Sequence, residues 1–317
     1  MAEIRLTIQH DNMLYEPPIE EGIQIEWERT GSPGKLSFTT LKIDGVVFDE
    51  GDQVCFYYDG KLVFVGYIFT KKRDREHKVQ ITCYDQIRYL KNKYTYVFEN
   101  KTASQIIKAL CDDFNLKVGE FENTGYVLPA IAEENISALD IILDVLEETF
   151  VNTGNLFTFY DDGGKLQIKN CTNMMCPTVI MEDTAENFDY SSSIDSETYN
   201  NVVLYYKGDN NQMQLFTAIS NDTISKWGLL RYFEEVKNPT IAQNKANSLL
   251  KLYNKKTREL KITGAFGDIS VRGGTMLPVR LDLGDIKTNN YMIVEKVTHK
   301  FDKDHHTMDL TLEGAWE

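Results

Sequence analysis

No stretch of this 317-residue chain approaches the roughly 20 consecutive apolar residues that a membrane-spanning helix needs. The opening residues, MAEIRLTIQHDN, carry charges where a secretory signal would place its apolar segment. The chain is therefore expected to be made in a cytosol, without membrane anchoring. Cysteine is scarce: the five residues at 55, 83, 111, 171 and 176 form no C-x-x-C pair, and their odd number argues against a closed disulfide framework. They read as free, mostly buried thiols. Cys171 and Cys176, the one close pair, have no nearby histidine to complete a zinc site. Positive charge is not in excess either. A net charge of −14 disfavours a grip on nucleic acid, which requires Lys and Arg to displace phosphate counterions.

Catalytic signatures are missing as well. There is no G-x-S-x-G elbow, no H-E-x-x-H and no G-x-G-x-x-G. The stretch ERTGSPGKLSF (28–38) has a Gly-Lys pair, but a phosphate-cradling loop needs four residues between its glycines and a hydroxyl after the lysine. Gly31 and Gly34 are too close, and Leu36 stands at the hydroxyl position. Ile23, Ile25 and Trp27 alternate with polar residues before the turn, and Leu36 and Phe38 do so after it, which predicts a β-hairpin.

What is present is a folded chain of 42% hydrophobic and 26% charged residues, too long for one ordinary core, so two or three domains are expected. The acidity is unevenly placed. Residues 1–98 hold 13 basic and 15 acidic side chains, 99–190 hold 5 and 17, and 191–317 hold 16 and 16. Such an asymmetry marks a separate middle module. The first segment reads as strand after strand, with Asp59-Gly60 joining two alternating apolar runs, the strongest short hairpin signal. A small antiparallel barrel is expected over 1–98. In the middle, Thr102 with Gln105 forms a capping-box pattern ahead of Ile106, Ile107, Leu110 and Phe114, and Ser137 caps a second helix carrying Leu139, Ile142, Leu143 and Leu146. A hairpin with Asp161-Asp162-Gly163-Gly164 at its turn follows, so 99–190 reads as a compact α/β insert. The last segment returns to strands around one clear helix, about 239–255, capped by Asn238 with Pro239 at its first position. The fold class expected is α+β and mainly β.

Candidate chemistry is thin. His299, His305 and His306, with Asp302 and Asp304, crowd one hairpin turn, but adjacent strand residues point to opposite faces, so a solvated turn is expected rather than a metal site. The doublets Glu133/Glu134 and Glu147/Glu148 read as solvated helix faces, because neighbours on a helix do not face one another as a glycosidase pair must. The 17 Tyr and 16 Phe are expected to fill cores, since the basic groove of a single-strand binder is missing. No enzyme activity, metal or cofactor is expected.

Four phrases, WERTGSPGKLSFTTLK (27–42), FDEGDQVCFYYDGKLVFVGYIF (48–69), SKWGLLRYFEEV (225–236) and YMIVEKVTHKFDKDHHTMDLTLEG (291–314), occur in an order that resembles the XkdQ/YqbQ-like proteins of contractile phage tails and related defective prophages. The resemblance covers both ends well and the acidic middle more loosely. It implies a structural baseplate hub that joins the tail tube to the central spike. Each chain of a homotrimer would give two tube-type β-barrel domains, 1–98 and 191–317, flanking the insert, so that three chains form a six-barrel ring. The partners implied are copies of the chain itself, the tail tube protein and the spike protein, with tape-measure and baseplate wedge proteins as further contacts, inside a virion or phage-tail-like particle. DNA would be passing cargo in a phage and absent from a bacteriocin particle. Edge-to-edge barrels would satisfy strand edges that a lone barrel leaves open. The loop Gly31, Ser32, Pro33 and Gly34 is the candidate assembly contact, and its deletion is expected to abolish tube joining while sparing the fold. Two rival readings are a tail-associated peptidoglycan hydrolase, which a zymogram would reveal, and a glycan-binding tail-tip module.

Overall fold

Alternation of apolar and polar residues, recurring from one end of the chain to the other, produces a mainly β protein. The computed structural model describes residues 3–30, 32–41, 47–208, 212–284, 287–302 and 305–314. The chain divides into two units. One comprises Met1–Leu146, Leu156–Asp189 and Leu260–Glu317, and the other Glu147–Asn155 and Tyr190–Glu259.

The larger unit is organised by a 13-stranded sheet. Seven of its strands come from the N-terminal residues. They run in the order Ile23–Glu28, Lys35–Leu41, Lys78–Tyr84, Lys61–Arg73, Gln53–Tyr58, Ile4–His10 and Met13–Tyr15. The remaining six run in the order Asn187–Ser193, Thr257–Phe266, His306–Glu313, Lys287–Phe301, Met276–Asp282 and Ile180–Met181. One antiparallel pairing, from Glu28 opposite Lys296 to Ile23 opposite Phe301, joins the two halves. The first six strands of each half follow the same plan. A strand enters, a second pairs with it, and a short strand, a long strand and a third complete the set. The sixth position is antiparallel in one half (Ile4–His10 on Gln53–Tyr58) and parallel in the other (Ile180–Met181 on Met276–Asp282).

Each half curls. Ile180–Met181 and Asn187–Ser193 stand at opposite ends of the C-terminal path, yet only residues 182–186 separate them. In the N-terminal half, Ile19 bridges to Thr40 and the Thr40 hydroxyl donates to Pro18 O (2.7 Å), so the link from Met13–Tyr15 returns to the far end of its own path. Phe56 and Phe301 lie on strands five pairings apart, one in each half, and their rings nevertheless meet at 5.0 Å, both fully buried. Among the described residues no strand pairing closes either half into a barrel. The two barrels read from the sequence thus correspond here to one continuous, curled sheet.

The hairpins are as expected. Lys35–Leu41 pairs back on Ile23–Glu28, and Asp59 and Gly60 both take the positive φ that their tight turn demands. The acidic middle has a core of its own, in which α1 (Ala103–Asp113) and α2 (Ala138–Thr153) bury Ile106, Ile107, Leu110, Ile142 and Val145 with Phe157, Phe159 and Ile168. The sheet of this core runs Val118–Phe121, Leu166–Asn170, Phe157–Asp161. The Thr102–Gln105 capping box forms, and Ser137 accepts from Asp140 N (3.1 Å). Ile87 and Leu90 join this core, so it begins before residue 99.

In the smaller unit a three-stranded sheet (Met213–Ile219, Asn201–Lys207, Arg231–Glu235) buries Val202, Leu204 and Ala218 against Ala242, Ala246 and Leu249 of the capped helix Pro239–Tyr253. The segment read as one C-terminal barrel, 191–317, is therefore divided. Its first part folds as a two-layer α/β unit because an amphipathic helix needs an apolar surface of its own to cover. It also holds a second helix, Asn221–Trp227, where only one was expected.

Candidate functional site

The loop after Ile23–Glu28 was the candidate contact. Gly31 lies outside the described residues, Ser32 is half-buried, and Pro33 and Gly34 are buried. Gly34 is tied down on both sides: its N–H donates to Asp85 Oδ2 (2.8 Å) and its carbonyl accepts from Asp85 N (3.0 Å). A Cβ there would stand 2.5 Å from Asp85 Oδ2 and 2.8 Å from Trp27 Cδ1, so only glycine fits. The loop is fixed from below, and its deletion would remove a buried clamp along with any contact.

The clamp gathers residues that sequence reasoning passed over. Asp85 also caps the 3-10 helix Gln86–Lys91 by accepting from Ile87 N (3.0 Å). Burial and the neighbouring Asp161 charge push the Asp85 carboxyl well above the usual carboxylate range, against the pull of the Gly34 and Ile87 N–H groups and Arg272. Asp161 is raised too, by its burial, although Gln86 Nε2 donates to it at 2.7 Å. Arg272 completes the group. Its guanidinium lies over Trp27 (4.8 Å) and over Tyr160 (4.6 Å), and it donates to Asp161 O (2.8 Å). Asp161 had been visible only as a turn residue, and it does hold that turn by accepting from Gly164 N (2.6 Å). The signal for Asp85 was its place directly before a run with helical spacing. Nothing marked Arg272.

Beside the loop an open cleft of about 200 Å³ is lined by Glu26, Lys35, Tyr84, Arg88 and Lys91 among others. Its floor belongs to the pairing that joins the two halves. Lys296 reaches Glu26 (3.2 Å) and Glu28 (2.9 Å), Lys35 reaches Glu26 (2.7 Å), and Arg29 pairs with Glu295 (2.7 Å). Burial alone would raise Glu26, but the hydrogen bonds from Lys35 and Lys296 outweigh it and hold the carboxyl below its usual value. The long strand supplies the cation to Glu26 and Glu28 of the added strand, and it supplies the anion, Glu295, to Arg29 just beyond it.

The histidine turn differs from its reading. His305 is exposed, but His299 is fully buried and its Nε2 meets Val271 O at 2.8 Å, while Nδ1 meets His306 Nε2 at 2.9 Å. Burial pushes His299 down to about 3 and His306 to about 4. Asp304 lies outside the described residues. The pair fills a core with Trp27, Tyr58 and Phe301 instead of facing solvent. Of the acid doublets, Glu133 sits on a strand, Ile131–Ser137, and not on a helix. Glu148 is engaged by Lys245 (3.2 Å) and Glu147 accepts from the Tyr253 hydroxyl (3.3 Å).

This fold is that of phage tail proteins. The 43 kDa tail protein of prophage MuSo2 from Shewanella oneidensis superposes with a TM-score of 0.72 at 13% identity, over 97% of this chain and 98% of that one. A component of the type VI secretion system, the E. coli c3393 protein, described as structurally similar to T4 bacteriophage tail proteins gp27 and gp5, gives 0.56 at 12% identity, over 98% of this chain and 77% of that one. In sequence, the chain is 31% identical over 304 residues to the phage-like element PBSX protein XkdQ of Bacillus subtilis (strain 168), covering 92% of this chain and 91% of that protein. The YQBQ-like family model matches residues 23–313, and the chain belongs to that family.

Proposed function

We propose that this protein is the structural hub of a phage-tail baseplate, the piece that joins the tail tube to the central spike, and that it catalyses no reaction. The observation that carries this reading is the repeated six-strand order in the two halves of the large sheet. Two like modules in one chain let three chains present six like modules around an axis. A sixfold tube above and a threefold spike below then meet the same ring, one by module and the other by chain. Curling of each half, with Ile19 bridged to Thr40 in one and only residues 182–186 linking the two ends of the path in the other, supports the view that each is a tube-type barrel when its neighbours are present. The likeness to a tail protein, to a prophage-element relative and to a secretion component described as similar to bacteriophage tail proteins fits that role.

On this reading the partners are two further copies of the chain, the tube protein and the spike protein, with wedge and tape-measure proteins outside and above, and the assembled particle is where the protein works. In a phage, DNA is passing cargo in the bore, and a bacteriocin particle carries none. The loop at Ser32 is a contact on the rim, held rigid by the Asp85 clamp. The acidic insert keeps the chain soluble before assembly or faces a basic wedge partner. Negative-stain images of the purified protein, or of particles carrying it, test the reading. A ring with threefold symmetry is expected, and averages with a different symmetry overturn it.

A further inference from the structure

The two halves match in topology but not in what their long strands carry. In the C-terminal half the long strand Lys287–Phe301 is paired by Met276–Asp282 along its first part. Along its last part the same side is paired by Ile23–Glu28, the entering strand of the other half. In the N-terminal half the long strand Lys61–Arg73 is paired by Gln53–Tyr58 only as far as Tyr67, and Ile68 exchanges backbone bonds with Gly51 and Asp52. Among the described residues no strand pairs with that side from Phe69 to Arg73, and Thr70, Lys72 and Arg73 are exposed. The seat is empty. Meanwhile the entering strand of the C-terminal half, Asn187–Ser193, stands at the end of its path with one strand neighbour among the described residues. Its inward positions Phe188 and Tyr190 are half-buried, where the corresponding Ile23 and Ile25 are buried.

We infer that the strand Asn187–Ser193 of one copy pairs antiparallel with Phe69–Arg73 of the next, repeating between chains the junction that Ile23–Glu28 makes with Lys296–Phe301 within one. Strand addition to an open edge satisfies backbone donors and acceptors on both sides. The charges agree. Within the chain the added strand brings Glu26 and Glu28 to Lys296. Between chains it brings Asp189, with Glu186 just before it, to a basic end where Lys71 is held by Asp49 and Glu50 while Lys72 and Arg73 make no ion pair among the described residues. Seat and strand are different surfaces, so the contact is head to tail and closes a ring when the rotation permits. This deepens the hub reading and rests on it.

The test uses two full-length variants that each add one surface cysteine, Lys72→Cys and Ser191→Cys, in a Cys55→Ser background that leaves only the four buried native thiols. They are mixed and mildly oxidised, with circular dichroism to check folding and analytical ultracentrifugation to give the oligomer size. A disulfide-linked pair is expected only in the mixture, and a chain carrying both substitutions should give bands that stop at three copies. A three-copy oligomer that forms without the cross-link overturns the strand seat and leaves the hub reading standing. A chain that stays monomeric and uncross-linked overturns both.

Discussion

The N-terminal and C-terminal halves of the large sheet hold six strands in one order, yet their entering strands live differently. Ile23–Glu28 lies between two neighbours and buries Ile23, Ile25 and Trp27, and its glutamates are bound by Lys35 and Lys296. Asn187–Ser193 has one strand neighbour among the described residues and exposes most of its length. A repeated topology therefore does not enforce a repeated environment. The same strand position is core in one module and open edge in the other, which is the condition for a chain that completes itself with copies of its own kind.

The largest expected effect breaks the comparison at its centre. Phe301 belongs to the C-terminal half but packs on Phe56 and Tyr58 of the N-terminal one. Phe301→Ala should cost about 3–5 kcal/mol, read as a shift of the denaturant midpoint. One transition means that the halves unfold together, and a split transition means that they are separate modules. Next comes Gly34→Ala, whose Cβ would collide with Asp85 and Trp27. It should destabilise by about 1–3 kcal/mol, and thermal denaturation measures it.

A pH series sharpens the contrast, because the C-terminal half alone carries the buried histidine pair. In the unfolded chain a histidine takes up its proton near pH 6.5, but His299 in the fold does so only at about 3. Below about 6.5 the unfolded state binds the extra proton, so stability falls with pH across that window, by up to about 1.4 kcal/mol per unit. Asp85 and Asp161 work in the opposite sense. Their raised folded values give stability at low pH that is lost as pH climbs above the unfolded value through the folded one. Denaturation of wild type beside His299→Gln, from pH 4 to 7, isolates the histidine, and the variant should show the flatter acid limb. The smallest effect is at the rim of the joint. Lys296→Ala removes a half-exposed cation from Glu26 and Glu28 and should cost about 1 kcal/mol or less, detected as a small midpoint shift that high salt reduces.

Short-range features were legible. The Asp59-Gly60 turn, the Thr102 and Asn238 caps and the apolar faces of both insert helices follow from rules that act within a few residues, and the helix Pro239–Tyr253 ends within two residues of its expected limit. What escaped was long-range. That Ile23–Glu28 meets residues 296–301, or that Arg272 comes to rest on Trp27 and Tyr160, depends on segments with no local signal for one another. The histidine turn misled for a related reason. Strand alternation was applied to the adjacent pair His305 and His306, whereas the pair that matters is His299 and His306, brought opposite each other by the hairpin. For the candidate contact loop, Pro33 is a local signal of rigidity, but the acid that holds the loop, Asp85, lies 51 residues away.

The ion pair between Glu28 and Lys296 ties together positions 268 residues apart. At about 5–20 residues per second of synthesis, the emerging N-terminal strands wait on the order of tens of seconds before the stretch that finishes their sheet leaves the ribosome. Throughout that interval Ile25 and Trp27 lack their second neighbour, and the newborn chain is at its most adhesive just when identical chains crowd the same messenger.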